Sequence, residues 1–294
     1  MTMNCPGCDC DKYKEIYSKL NLIQKGCSQG GKIFKCSFCE LAFLDSKIED
    51  KISKQLYECG YHKSKTNILN EAFAEISVFL TVKQLHKYLF RGSVLDVGCG
   101  KGLFLSYIKN AGFDEHGVEP SYDGYEICTK NKGLNVINSE LIENMFPSCY
   151  FDLVTMWHSL EHIAQPTLIL KEVRRILKPN GVLVIEVPNI SCLESKIFKE
   201  NWYQLDIPKH RCFYNKTSMS KLLESNGFQA ISYSTESFFT LILSPFRSYA
   251  LAIQNKNFLL TIFLLPAVFL LIIAKMFPIL NLRSCIRVYA RNMR

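Results

Sequence analysis

The chain nowhere gathers its charge into a block. Its 35 Lys and Arg against 27 Asp and Glu give a formal net charge of +8, which would suit phosphate, nucleic acid or an anionic membrane face. The basic residues are dispersed and no stripe alternates them with aromatics, so charge alone names no partner and a nucleic-acid grip is disfavoured. Also missing is an uncharged run of roughly 20 residues, the length that a membrane-crossing helix requires. The opening MTMNCPGCDC has no basic start followed by an apolar stretch, so no secretory leader is expected. The loop GxGxxG is absent too, and with it the usual mark of a dinucleotide enzyme.

What is present is ordinary globular composition, 48% hydrophobic and 21% charged over 294 residues, enough for one large domain and a small appendage. Most of the 13 cysteines beyond residue 40 sit singly in apolar or mixed surroundings, as reduced thiols do, and a reducing cytosol is expected. Residues 1–45 hold two CxxC pairs, Cys5 with Cys8 and Cys36 with Cys39, separated by 27 residues. Two such turns make a tetrahedral thiolate site, so a structural zinc ribbon is expected in preference to two redox pairs, with Cys10 and Cys27 as spare thiols. Four protein ligands leave no open position, and the expected work of the metal is to hold together a segment too small for its own core.

Residues 46–92 are polar and then helical in ILNEAFAEISVFLTVKQLHKYL, a connector packed on the next domain. From residue 93 the pattern alternates. The strands are SVLDVG, EHGVEP, LNVIN, FDLVTMW and VLVIEVPN; the helices are LFLSYIKNAG, SYDGYEICTKNKG and PTLILKEVRRILKPNG. This implies an α/β fold with a doubly wound, mostly parallel sheet. Ligands of such sheets bind at the carboxyl ends of the strands. After the first strand stands DVGCGKG, giving Asp96, Gly98, Cys99, Gly100 and Gly102, a GxGxG loop that lets the backbone approach a ligand closely. The second strand ends in Glu119 and Pro120, with Glu119 lying 23 residues after Asp96. A carboxylate there can accept both hydroxyls of a ribose, which favours an adenosine-containing cofactor.

Taken in order and spacing, LDVGCGKG, GVEPS, FDLVTMWHSLEHI and LKPNGVLVIEVPN resemble the class I S-adenosylmethionine-dependent methyltransferases, in the branch of the ubiquinone-pathway O-methyltransferases. The run NWYQLDIPKHRCFYNKTSMSKLLESNGF resembles the acceptor-side segment of relatives with an N-terminal zinc ribbon. The resemblance implies a seven-stranded sheet over residues 93–240, completed by a last strand at 284–294. It also implies that Gly98 and Gly100 approach the methionine part of S-adenosyl-L-methionine, Asp96 orients the loop, Glu119 holds the ribose, and the adenine lies near Asn138, Ser139 and Trp157.

His158, Glu161 and His162 follow the strand FDLVTMW. In a helical turn, positions i, i+3 and i+4 share a face, so the three could converge, with His210 as a fourth group. Two or more imidazoles and a carboxylate suit Zn²⁺, Fe²⁺ or Mn²⁺ better than Mg²⁺. The resemblance implies a second divalent ion that lowers the pKa of an acceptor hydroxyl, although relatives of that layout carry a carboxylate where His158 stands. The alternative is His210 alone as general base with a pKa near neutrality, His158 lying beside the cofactor methyl.

Residues 241–283 are expected to be an apolar helical insertion between the sixth and seventh strands. Its FLLTIFLLPAVFLLIIA, residues 258–274, is uncharged and broken by Pro266. Both flanking strands belong to one sheet, so a single crossing is forbidden; a shallow hairpin bent at Pro266 on the cytoplasmic face of a membrane, a pair of crossings, or burial in a core or homodimer remains. Arg247, Lys256, Lys275, Arg283, Arg287, Arg291 and Arg294 flank the region, as anionic headgroups would require. The expected activity is O-methylation of a small-molecule, sugar or lipid-linked acceptor. The rivals are a nucleic-acid methyltransferase that uses the ribbon for substrate and a non-catalytic binding protein.

Overall fold

The structure is a computed structural model, which describes residues 3–20, 31–45, 68–89, 91–235, 238–254, 268 and 283–294. Strands β1 (Tyr13–Leu20), β2 (Gly31–Cys36) and β3 (Ala42–Leu44) form an antiparallel meander. Helix α1 (Ile68–Leu85) follows, and then the α/β alternation begins. It comprises β4 (Ser93–Val97), α2 (Leu103–Asn110), β5 (Asp114–Val118), α3 (Tyr122–Glu126) and β6 (Val136–Ile137). Next come β7 (Phe151–Trp157), α4 (Pro166–Ile176), β8 (Leu177–Pro188) and α5 (Leu193–Phe198). The short β9 (Cys212–Phe213), α6 (Lys216–Ser225), β10 (Phe228–Thr235), α7 (Phe238–Gln254) and β11 (Cys285–Asn292) complete the described elements.

The large sheet has the order β10-β11-β8-β7-β4-β5-β6. Its five central and outer strands β8, β7, β4, β5 and β6 are parallel, and β10 and β11 are antiparallel, with β11 between β10 and β8. The doubly wound, seven-stranded expectation therefore stands. The strands read as near-continuous Val, Leu and Ile because helices cover both faces; Val94, Leu95, Val154, Leu183, Val184 and Ile185 are fully buried.

One boundary is corrected. LKPNG does not continue the helix that starts at Pro166: α4 ends at Ile176, and Leu177 already pairs with Phe151 in the sheet. Pro179 disfavours a helical Lys178 before it, and Asn180 takes a left-handed φ of 61°.

A second sheet, β1-β2-β3-β9, was not foreseen: β9 belongs to the segment after β8, so the cysteine-rich meander and the large domain share a sheet. They also share a core, in which Cys5, Cys36, Cys39, Leu41 and Phe43 cluster with Leu160, Tyr214 and Leu222.

Of the apolar insertion, α7 docks on α5. Glu194, fully buried, accepts hydrogen bonds from Ser244 and Ser248 at 2.7 Å each and from Ser284 at 2.7 Å. The run 258–274, apart from the buried Val268, lies outside the described residues. Among those described, no helix is long and apolar enough to cross a membrane. Arg287, expected to face headgroups, is corrected: it is buried in an ion pair with Glu186.

Candidate active site

At the carboxyl end of β4 the chain turns through Gly98, Gly100 and Gly102, with φ of 74°, 55° and 69°. A side chain is excluded twice over. A Cβ on Gly98 would stand 2.5 Å from the Ser159 hydroxyl, and one on Gly102 would stand 2.7 Å from Cys128 Sγ, while left-handed backbone already favours glycine. The loop is tied to β5, because Gly98 N and Cys99 N donate to Val118 O. Glu119 extends this tie: its carboxylate accepts from Gly100 N and from Ser121 N, each at 2.8 Å. Asn138 Nδ2 donates to Glu119 O at 2.8 Å and to Pro120 O at 3.2 Å, and so fixes the end of β5, while Ser139 N closes a turn on Ile137 O. Asp96 is buried beneath the loop and accepts from Thr155 Oγ1 at 2.7 Å. Burial pushes its carboxyl up to about 7, with Thr155 opposing and Glu119 adding to the rise.

A cavity of about 290 Å³ opens beside this loop, lined by Asp96, Gly98, Cys99, Gly100 and Lys101, by Ser77 and Thr81 of α1, and by Trp157, Glu186 and Arg287. Its wall contains residues that the motifs did not point to. Arg287 Nε donates to Glu186 at 2.6 Å, Nη1 donates to Thr81 at 3.2 Å, and the guanidinium lies 5.0 Å from the centre of the Trp157 ring. Trp157 also packs on Phe104 at 5.3 Å. Of the expected cofactor residues, Asp96, Gly98, Cys99, Gly100 and Trp157 line the cavity, whereas Glu119, Pro120, Asn138, Ser139 and His158 are not among its lining residues. A signal for the pair existed in the sequence. A charged residue inside the apolar strands VLVIEVP and CIRVYA is seldom fully buried unless partnered.

His158 follows β7 in a left-handed conformation, φ 50°. Its ring bridges two carboxylates, with Nδ1 3.3 Å from Glu161 and Nε2 3.3 Å from Glu186. Burial works against protonation, but the two carboxylates outweigh it and raise the imidazole to about 10. The imidazolium in turn holds the buried Glu161 below the usual carboxylate range, against burial. Of the expected four-group set, Glu161, His162 and His210 come together within 4.8 Å, while the two ring nitrogens of His158 face Glu161 and Glu186 and His158 is not of their number.

The three form a 3-10 turn plus one distant residue, not a single helical face. The ring Nδ1 of His162 lies 3.1 Å from Lys209 O, and that of His210 lies 2.9 Å from Gln204 O. A carbonyl only accepts, so each Nδ1 carries the proton and each Nε2 the lone pair. The rings are 4.8 Å apart, and Glu161 Oε2 is buried with no hydrogen-bond partner. Burial lowers the His210 ring to about 4, below the near-neutral value expected of a general base. Such a ring is neutral at physiological pH and better suited to ligation or hydrogen bonding than to removing a proton by itself.

In the ribbon, Cys5 Sγ lies 3.5 Å from Cys39 Sγ and Cys8 Sγ lies 3.6 Å from Cys36 Sγ, all four thiols falling within 4.8 Å of one another. Phe38 N and Cys39 N donate to Cys36 Sγ at 3.4 and 3.5 Å. Such amide bonds stabilise a thiolate, and the set fits a tetrahedral ion. Cys10 lies outside the set, and Cys27 lies outside the described residues.

A family model described as a methyltransferase domain matches residues 66–233. The chain is 29% identical over 119 residues to a ubiquinone biosynthesis O-methyltransferase of Actinobacillus pleuropneumoniae, covering 37% of this chain and 50% of that one. It is 32% identical over 116 residues to the enzyme of that name from Methylococcus capsulatus, covering 37% and 48%. The matched region thus spans about half the length of these curated relatives. A crystal structure of an S-adenosylmethionine-dependent methyltransferase from Archaeoglobus fulgidus superposes with a TM-score of 0.52 at 24% identity, covering 76% of this chain and 98% of that one, a likeness of fold.

Proposed function

The chain belongs to the class I S-adenosylmethionine-dependent methyltransferase family, and from that premise we propose that it methylates a hydroxyl oxygen of a small-molecule, sugar or lipid-linked acceptor. The observation that carries the reading is Glu119 turned onto the glycine loop, its two oxygens on Gly100 N and Ser121 N. A carboxylate at this position can hold the ribose hydroxyls while the glycine backbone admits the rest of the nucleoside. Arg287 lines the same cavity as the loop, paired with Glu186, and would offer guanidinium N–H groups to a carboxylate bound there. S-adenosylmethionine supplies a methyl already activated on sulfonium, so the protein's part is alignment and removal of the acceptor proton.

On the acceptor side, Glu161, His162 and His210 would hold a divalent ion such as Zn²⁺, Fe²⁺ or Mn²⁺, which lowers the pKa of a bound hydroxyl. The unpaired buried oxygen of Glu161 and the two Nε2 lone pairs support that donor set. His158, with Nδ1 3.3 Å from Glu161 and Nε2 3.3 Å from Glu186, would orient Glu161. Cys5, Cys8, Cys36 and Cys39 would hold a structural zinc. The modest likeness to ubiquinone biosynthesis O-methyltransferases supports a lipid-like acceptor.

The test is transfer of labelled methyl from the cofactor into extracts of the host, with lipid and water-soluble pools kept apart. Label is expected in a compound of one pool, on oxygen. No transfer into either pool by a protein that binds the cofactor would contradict the proposal.

A further inference from the structure

The segment that carries His210 has few regular partners of its own. Between α5 and α6 the chain runs through two 3-10 turns, Lys199–Asn201 and Tyr203–Leu205, and into the two-residue β9. What flanks it is the cysteine ribbon. Ala42 pairs with Phe213 and Phe43 with Cys212, and Leu44 N donates to Arg211 O at 2.9 Å. On its other side Arg211 N donates to Glu161 O at 2.7 Å, and Tyr214 OH donates to Leu160 O at 3.4 Å. The segment that leads from His210 into β9 is thus held between β3 of the ribbon and the turn that bears Glu161 and His162.

The ribbon is anchored to the next helix as well. Lys221 Nζ donates to Phe38 O at 2.6 Å, and Asn215 Nδ2 donates to the carboxylate of Glu40 at 3.3 Å. Phe38 and Glu40 flank Cys39, and Cys36 N donates to Leu41 O. The backbone that leads from the metal-binding turn to β3 is therefore only a few residues long. The glycine loop bonds to none of these ribbon or β9 residues: it is tied to Val118 and Glu119 at the end of β5, to Cys128, and through Ser159 Oγ on Val97 O to the turn before Glu161.

We propose that the four-cysteine ribbon is a positioning element of the acceptor site: zinc between Cys5, Cys8, Cys36 and Cys39 fixes β3, and β3 fixes the strand that sets His210 against Glu161 and His162. The proposal rests on the reading of those three residues as the acceptor-side group. It gives the ribbon a role beyond self-stabilisation, because an edge strand without its partner leaves backbone groups unpaired and its segment free to open. Loss of zinc then loosens the acceptor site and spares cofactor binding.

The test compares the full chain with one zinc bound, the same chain after zinc extraction, and Leu44→Pro, which keeps all four thiols and removes the donor to Arg211. Amide hydrogen exchange is followed in peptides within 206–214, and S-adenosylhomocysteine is titrated by calorimetry. Exchange in 206–214 is expected to quicken by about tenfold or more in both perturbed forms, with the S-adenosylhomocysteine Kd unchanged within about twofold, and zinc added back to the extracted chain restores protection. Unchanged exchange after zinc extraction overturns the proposal. So does a parallel loss of S-adenosylhomocysteine affinity, because the ribbon would then be holding the fold as a whole. A wild-type chain with zinc-dependent protection that takes up no S-adenosylhomocysteine supports the ribbon's role and overturns the methyltransferase reading.

Discussion

Replacing Arg287 by Met keeps an apolar stem of similar length and deletes the charge that lies over Trp157. Glu186, at 7% exposure, would then be a buried carboxylate facing only the half-exposed His158. Burial alone would raise the carboxyl; Arg287 and His158 instead hold it at about 2, against an ordinary 4.5. At about 1.36 kcal/mol per pKa unit, that displacement amounts to about 3 kcal/mol of stability at neutral pH. Removing one partner of a buried pair costs about 3 to 5 kcal/mol by experience with other proteins, so the two routes agree. Urea denaturation at pH 7 should show Arg287→Met less stable than wild type by about 3 kcal/mol. The sign with pH follows from the lowered carboxyl. Its stabilisation is present above about pH 4.5 and is lost as pH falls toward 2, so the variant's deficit should shrink over that window. Glu186→Gln combined with Arg287→Met should recover most of the loss, because no charge is left stranded. A deficit below about 1 kcal/mol, or one that is the same at pH 3.5 and pH 7, would refute the reasoning.

Gly98→Ala should cost more than Gly112→Ala in thermal denaturation. Both have positive φ, but only the Gly98 substitution meets an atom, Ser159 Oγ at 2.5 Å, while nothing lies within 4 Å of a Cβ at Gly112; losses of about 2 to 3 and about 1 kcal/mol are expected. Asp96, raised to about 7 by burial, favours the protonated fold, so it should lower stability progressively as pH rises from about 4 to 7, and Asp96→Asn should remove that slope from a pH series of denaturation curves. Glu161→Gln should weaken Mn²⁺ binding, read by magnetic resonance of the ion, by about tenfold or more while the ribbon retains its zinc; unchanged affinity would remove the acceptor-side metal.

The sheet was legible because buried parallel strands must be apolar throughout and their crossovers must be helical, which the alternation from residue 93 displays. The cofactor side was legible for a related reason. A glycine turn after one strand and a carboxylate ending the next are fixed by the adjacent pairing of β4 and β5. The fate of His158 was not. Its partner Glu186 arrives through the parallel register of Trp157 with Glu186, and Arg287 arrives beside Glu186 through the antiparallel register of β11, which depends on where an insertion returns the chain. Local spacing at i, i+3 and i+4 could gather His158, Glu161 and His162 but could not tell which carboxylate would claim which ring. The pairing of β3 with β9 was illegible for the same reason. Strands of three and two residues carry no periodicity, and the two lie about 170 residues apart in the chain.

The central claim is that the glycine turn and Glu119 form one binding place for a sulfur nucleoside. Calorimetric titration with S-adenosylhomocysteine tests it most directly, on wild type and on Glu119→Ala. Saturable 1:1 binding by wild type, weakened by about 30-fold or more in the variant, is the predicted result. Absence of heat with the folded wild-type chain, or equal affinity in the two proteins, would contradict it.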